Sequence, residues 1–171
     1  MSDLEARLAR LEAERDIAAL MATYARLVDE GPDADAIAAL FTADTVYETF
    51  GHLGLEGEPI TGRDALHATF RDLPQLLPFT AHYLCNPEVK VSADASRGEG
   101  RWLVLELANA VRDDDRQSLV MVAAYHNDFV RTSDGWLIER IRFGDLRAFP
   151  YAEGFARTRY ISMYDGHRVE D

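Results

Sequence analysis

Two stretches decide the fold: Thr80-Ala-His-Tyr-Leu-Cys-Asn-Pro-Glu-Val-Lys-Val-Ser92 and Arg101-Trp-Leu-Val-Leu-Glu-Leu-Ala-Asn-Ala-Val-Arg112. In the second, Trp102, Val104 and Glu106 share one parity and Leu103, Leu105 and Leu107 the other. A period of two over so long a run is the mark of a strand. Ser118 to Arg131 and Trp136 to Arg147 read the same way. The runs are separated by Asp94-Ala-Ser-Arg-Gly98, by Asp113-Asp114-Asp115 and by Thr132-Ser-Asp-Gly135. Such residues supply turn geometry, so neighbouring strands are expected to form an antiparallel meander.

Upstream the period is helical. Ser2 with Glu5 makes a capping box, and Leu4, Leu8, Leu11, Ile17, Met21, Tyr24 and Val28 recur at helical spacing. This predicts a helix from about Asp3 to Val28, stopped at Gly31-Pro32. A short helix over Ala34 to Phe41 and a strand over Val46 to Phe50 are expected next, then a loop marked by Gly51, Gly54, Gly57 and Pro59. A third helix, near Asp64 to Leu73, has Thr61 available as its cap and is ended by Pro74 and Pro78. Helices first and strands after predict an α+β architecture in which a strongly curved sheet, mixed or antiparallel, closes over the helices. Residues 1–149 form one domain on this reading. The tail 150–171 carries Tyr151, Phe155, Tyr160 and Tyr164 and is expected to pack on the barrel or on a neighbouring subunit.

The chain has 171 residues, 47% of them hydrophobic, which suits one domain burying its own core. A formal net charge of -12 repels phosphates, so neither nucleic acid nor an anionic membrane surface is an expected partner; a hydrophobic small molecule is. Cys85 is the only cysteine, which rules out an internal disulfide and a cysteine-based zinc site and fits a reducing, cytoplasmic setting. The first sixteen residues alternate charge with leucine, unlike a signal peptide, and no apolar run is long enough to span a membrane. His52, His82 and His126 lack the spacing of a metal site, and no nucleotide or nucleophile-elbow motif is present, so no metal and no cofactor are expected.

Tyr24, Asp29 and His82 are the candidate catalytic residues. An imidazole of ordinary pKa is largely a free base at neutral pH, and a carboxylate on its other nitrogen fixes the tautomer. A nearby phenol can donate to an oxygen that gains charge. Each has a plainer reading: Asp29 as a solvated helix end, His82 as a hydrogen-bonded core histidine, Tyr24 as part of the apolar helix stripe. Glu106 is costly on an apolar strand face unless paired. Tyr125 and Asn127 share a parity opposite to His126 and Asp128, and only one pair can face the interior. Arg142 can bind an acidic substrate group or pair with surface carboxylates.

The segments Tyr24-Ala-Arg-Leu-Val-Asp29, Ala39-Leu-Phe-Thr-Ala-Asp44, Thr61-Gly-Arg-Asp64, Thr80-Ala-His82-Tyr and Asp134-Gly-Trp-Leu-Ile-Glu139 resemble the SnoaL-like branch of the nuclear transport factor two-like superfamily, over about residues 5–147. The resemblance implies a cone-shaped α+β barrel. Within the superfamily the chain looks most like the dehydratases of the bile acid 7α-dehydratase and scytalone dehydratase type, with an Asp late in the first helix paired to a His on the first long strand. Asp29, His82 and Tyr24 fall at those places, and Glu106 falls at an acidic position of the bile acid enzyme. The implied function is a cofactor-independent dehydratase or related lyase on a cyclic hydroxy-carbonyl compound, steroid- or polyketide-like. Trp102, Glu106, Tyr125, Asn127 and Arg142 are the expected substrate-binding residues. An isomerase or polyketide cyclase of the same fold, or a non-catalytic binding or assembly module, is the alternative. A homodimer or homotrimer is expected, because a curved open sheet leaves an apolar outer face to cover.

Overall fold

The computed structural model describes residues 3–31, 33–48, 58–112, 115–154, 160–161 and 168–169. Helix α1 (Asp3–Asp29) carries a buried stripe of Ala13, Ile17, Met21, Tyr24 and Val28, spaced to face one side. It is followed by α2 (Ala34–Ala38), β1 (Phe41–Tyr47), β2 (Ile60–Thr61) and α3 (Arg63–Leu76). Four long strands come next: β3 (Phe79–Val91), β4 (Arg97–Arg112), β5 (Asp115–Thr132) and β6 (Gly135–Pro150). Two short strands, β7 (Tyr160–Ile161) and β8 (Arg168–Val169), pair with each other, and β7 lies beside β6.

The main sheet has the order β2-β1-β6-β5-β4-β3, antiparallel throughout except for the parallel pair β1 and β6. The expected mixed, curved sheet over N-terminal helices is therefore present, but it does not close: β2 and β3 are its two edges. Register shifts between Cys85 and Glu88, Val122 and Ala124, and Asp128 and Phe129 mark the places where extra residues bend the strands. The concave face presents Val104, Met121, Tyr125, Ile141 and Phe143 to α1, while α3 adds Leu66, Phe70 and Leu73. The convex face keeps Tyr83, Leu103, Leu105 and Val122 exposed.

Several local expectations shift. The second helix stops at Ala38 because the chain there joins the sheet: Phe41 pairs with Ile138, and the Ile138 N–H donates to the Leu40 carbonyl. The following strand accordingly begins at Phe41 instead of Val46. Thr61 does not cap α3; it pairs with Val46, and Gly62, at φ 90°, occupies the cap position without a side-chain bond. Pro74 sits inside α3, whose final turn is held by the Leu77 N–H donating to the Leu73 carbonyl. The loop around Gly51, Gly54 and Gly57 and most of the tail lie outside the described residues.

Two glycines make room on the concave face, Gly98 for α1 and Gly100 for the Trp102 ring of its own strand. A Cβ at Gly98 would lie 2.4 Å from Ile17 Cδ1, and one at Gly100 would lie 2.3 Å from the Trp102 ring. The Trp102 indole is buried and stiff, so the second clash has no easy relief. Gly100→Ala is expected to lower unfolding stability by about 1–3 kcal/mol in urea titrations, and Trp102→Ala in the same chain should abolish the penalty specific to the alanine.

Candidate active site

Asp29 is the last residue of α1, where a negative charge opposes the helix dipole and needs compensation. The edge strand β3 supplies it. Asp29 Oδ2 accepts the His82 backbone N–H at 2.7 Å, and Oδ1 accepts the Thr80 hydroxyl at 2.8 Å and contacts His82 Nδ1 at 2.6 Å. Burial disfavours the charge on Asp29, but the His82 ring, its backbone N–H and the Thr80 hydroxyl outweigh it and hold the carboxyl below its ordinary pKa. The expected pairing of Asp29 with His82 is thus formed by α1 and β3 together.

A third charged group completes the chain of contacts. Register places Glu106 of β4 directly opposite His82, and Glu106 Oε2 lies 3.3 Å from His82 Nε2. The imidazole, its side chain 6% exposed, is held between two carboxylates. Burial works against its charge; the Glu106 carboxylate, followed by the contacts with Asp29, overrides burial and raises the pKa to about 10. Instead of the expected free base, His82 is an imidazolium at neutral pH. Glu106, costly on an apolar face by itself, finds its counter-charge here.

Behind this row stand three phenols. Tyr24 and Tyr47 are 3.1 Å apart at their hydroxyls, and Tyr125 packs edge-on to Phe143 beside them. Burial, followed by mutual proximity for Tyr24 and Tyr125, pushes their pKa values well above the usual range; burial also raises Tyr47. All three are therefore neutral donors. With His82, Glu106 and Thr80 they line a cavity of about 30 Å³, otherwise walled by apolar side chains including Val28, Phe70 and Leu77. That space holds one or two water molecules. A larger groove of about 420 Å³ lies on the other side of Asp29 and His82, between α1 and β3, with Trp102 and Leu84 in its wall.

Of the residues expected at the site, Tyr24, Asp29, His82, Glu106 and Tyr125 converge. Trp102 faces the α1 groove and not the cavity. Asn127 does face inward with Tyr125, but its amide nitrogen donates to Met21 Sδ at 3.4 Å and its buried Oδ1 has no hydrogen-bond partner among the described residues. Arg142 is corrected as a substrate ligand: it pairs across the sheet with His126 on the convex face and bonds Asp128 at 3.0 Å, the surface pairing. Tyr47 is not among the expected site residues; it lies within the expected strand Val46 to Phe50, and its pairing with Ile60 and Ile141 leaves it buried at the cavity. Among the described residues no group of three His, Cys, Asp or Glu is arranged to hold a metal ion, and no helix is long and apolar enough to cross a membrane.

A histidine with a raised pKa stabilises the fold fully below its unfolded value near 6.5 and loses that contribution as pH rises through about 10. The native state should therefore lose stability between pH 6.5 and 10 relative to His82→Gln. Nitrogen chemical shifts of His82 should remain those of the imidazolium through pH 8. A titration midpoint at or below 6.5 would contradict the two-carboxylate arrangement.

Comparison with known proteins places this geometry in context. Curated protein sequences provide no match. Among solved structures, an NTF2-like protein with a cystatin-like fold from Novosphingobium aromaticivorans is 27% identical, with a TM-score of 0.61 over 83% of this chain and 87% of that one. A candidate scytalone dehydratase from the same organism is 23% identical, TM-score 0.68, over 82% and 89% of the two chains. The hexachlorocyclohexane dehydrochlorinase LinA-type3 of Novosphingobium barchaimii is 23% identical, TM-score 0.69, over 85% and 94%. The last two show likeness of fold. The family model described as the SnoaL-like domain matches residues 9–142, most of the chain, and the protein belongs to that family, within the NTF2-like superfamily of cone-shaped α+β folds.

Proposed function

We propose that the cavity is the active site of a cofactor-independent lyase that removes water from a hydroxy-carbonyl compound. The observation that carries this reading is the buried row Asp29, His82, Glu106, which puts an acid and a base 3.3 Å apart beside three neutral phenols. Elimination from a β-hydroxy carbonyl needs three things: a base for the proton on the α-carbon, a donor for the carbonyl oxygen, and an acid for the departing hydroxyl. Glu106 serves as the base. Tyr125, or whichever of Tyr24 and Tyr47 keeps its hydroxyl hydrogen free of the other, donates to the enolate oxygen. The His82 imidazolium gives its Nε2 proton to the hydroxyl, which leaves as water. The proton on Glu106 then returns to His82 across the same short gap, so the site resets with an alkene and water as products. Asp29 touches no substrate in this scheme; it positions the imidazole and stabilises its charge.

The cavity favours a small substrate. A ring compound has to displace Leu73 and Leu77, at the end of α3, where Pro74 leaves the last turn with fewer backbone hydrogen bonds. Double-bond isomerisation would use the same base and phenols but leave the imidazolium without a task, and for that reason elimination is preferred. The nearly filled interior is the one observation on the side of a non-catalytic module.

A panel of hydroxy-ketones assayed for loss of water separates these readings. His82→Ala and Glu106→Gln are each expected to lower kcat by about 10²–10⁴, and Tyr125→Phe by on the order of 10-fold or more. Turnover unchanged in both His82→Ala and Glu106→Gln would remove the row from the chemistry, and no turnover by the native protein on any member would favour the binding module.

A further inference from the structure

The groove between α1 and β3 collects polar groups that the fold leaves unused. Trp102 is 3% exposed, and its indole N–H has no hydrogen-bond partner among the described residues. A buried donor left unbonded carries a desolvation cost that a partner relieves. The groove, about 420 Å³, is the open space that Trp102 lines. Strand register explains the opening. Leu103 pairs with Cys85 and Arg101 with Glu88, so two residues of β3, Asn86 and Pro87, stand across from Trp102 alone. Asn86 sits at φ 51° and Pro87 has no N–H to offer, so the ladder is interrupted beside the indole.

Two more groups border the same space. Asp29 already accepts three bonds, yet a carboxylate has about four acceptor positions, and its side chain, which lines the groove, is 21% exposed. On β3 the His82 N–H turns outward to Asp29, so Leu84, two residues on, turns its own N–H away from β4 as well. We propose that this groove binds a small neutral molecule with a flat apolar ring and an amide-type group. Its carbonyl oxygen accepts from the Trp102 indole or from the Leu84 N–H, its own N–H donates to the free position on Asp29, and the ring lies on the methyl groups of Ala18 and Ala22 beside Pro87. Anions are disfavoured, because Asp29 is ionised and the chain carries a net charge of -12. Arg26, also at the groove, is held by Glu30 at 2.9 Å and does not offset Asp29. The volume falls in the usual range of small-molecule sites, about 300–1,000 Å³. The groove lies across Asp29 and His82 from the cavity, so the assignment stands independently of the proposed reaction.

Benzamide is the probe, read by the indole N–H resonances of the chain's two tryptophans, Trp102 and Trp136. On titration into the full chain the Trp102 signal should move and the Trp136 signal stay. Acetophenone, which keeps the carbonyl but has no N–H, and benzoate, which adds a negative charge, should each bind at least about tenfold more weakly. Ala22→Leu, at an exposed helix position, and Ala18→Leu should each raise the benzamide dissociation constant at least about tenfold by filling the groove. Tyr125→Phe, inside the cavity, should leave it unchanged. A Trp102 signal that stays still, benzoate or acetophenone binding as well as benzamide, binding that survives both alanine substitutions, or binding lost in Tyr125→Phe would each overturn the proposal.

Discussion

The contact on which the rest of the molecule depends is the one between the carboxylate that ends α1 and the first residues of β3. Asp29 takes three donors from Thr80 and His82, including the backbone N–H of an edge strand that has no neighbour on that side. Left open, such an edge is a template for unwanted pairing. The same bonds cancel the unfavourable charge at the helix terminus and fix the angle at which α1 lies in the concave sheet. Once β3 is set, its register with β4 leaves Glu106 no position other than opposite His82. A local solution to a helix-end problem thereby assembles the charged row, and the site costs the fold little beyond what the edge already required.

Much of this is legible in the sequence. The four long strands, the first helix and the α+β order follow from periods of 2 and 3.6 that run long enough to be unambiguous, and the pairing of Asp29 with His82 follows from a family resemblance to which the composition is neutral. What escaped was short or non-local. Ile37, Leu40 and Phe41 fit a helical stripe; only pairing with Ile138, far along the chain, makes Phe41 part of a strand. Glu106 was visible as an anomaly, yet its role as counter-charge depends on strand register, which no single-strand pattern contains. Arg142 has the right chemistry on the wrong parity of a strand that carries an extra residue, Glu139, between the pairs Ile138 with Phe129 and Arg140 with Asp128. Bulges shift faces without leaving a mark in hydrophobic periodicity.

Electrostatics here works against intuition drawn from isolated groups. A histidine in an apolar interior is ordinarily neutral, but two flanking carboxylates reverse the balance, and the three phenols stay protonated because burial disfavours the phenolate, with nearby negative charge adding to it. The interior therefore offers donors almost exclusively: an imidazolium and tyrosine hydroxyls, with Glu106 as the acceptor that faces the cavity. Such a lining suits a molecule with electronegative oxygen and an acidic carbon–hydrogen bond and gives little hold to a cation or to a saturated hydrocarbon.

The parallel pairing of β1 with β6 has a consequence for how the chain reaches this state. The antiparallel meander from β3 to β6 can zip from its turns, each pairing made soon after its strands exist. The β1 strand has only the two residues of β2 as a near neighbour and must wait for the last long strand before it can dock on the main sheet. Contacts between opposite ends of a domain form slowly, since loop closure must precede their reward. On the ribosome, the segment bearing Tyr47 would be joined at most to β2 until nearly the whole domain had emerged, making the phenol wall of the cavity among the last parts of the molecule to mature.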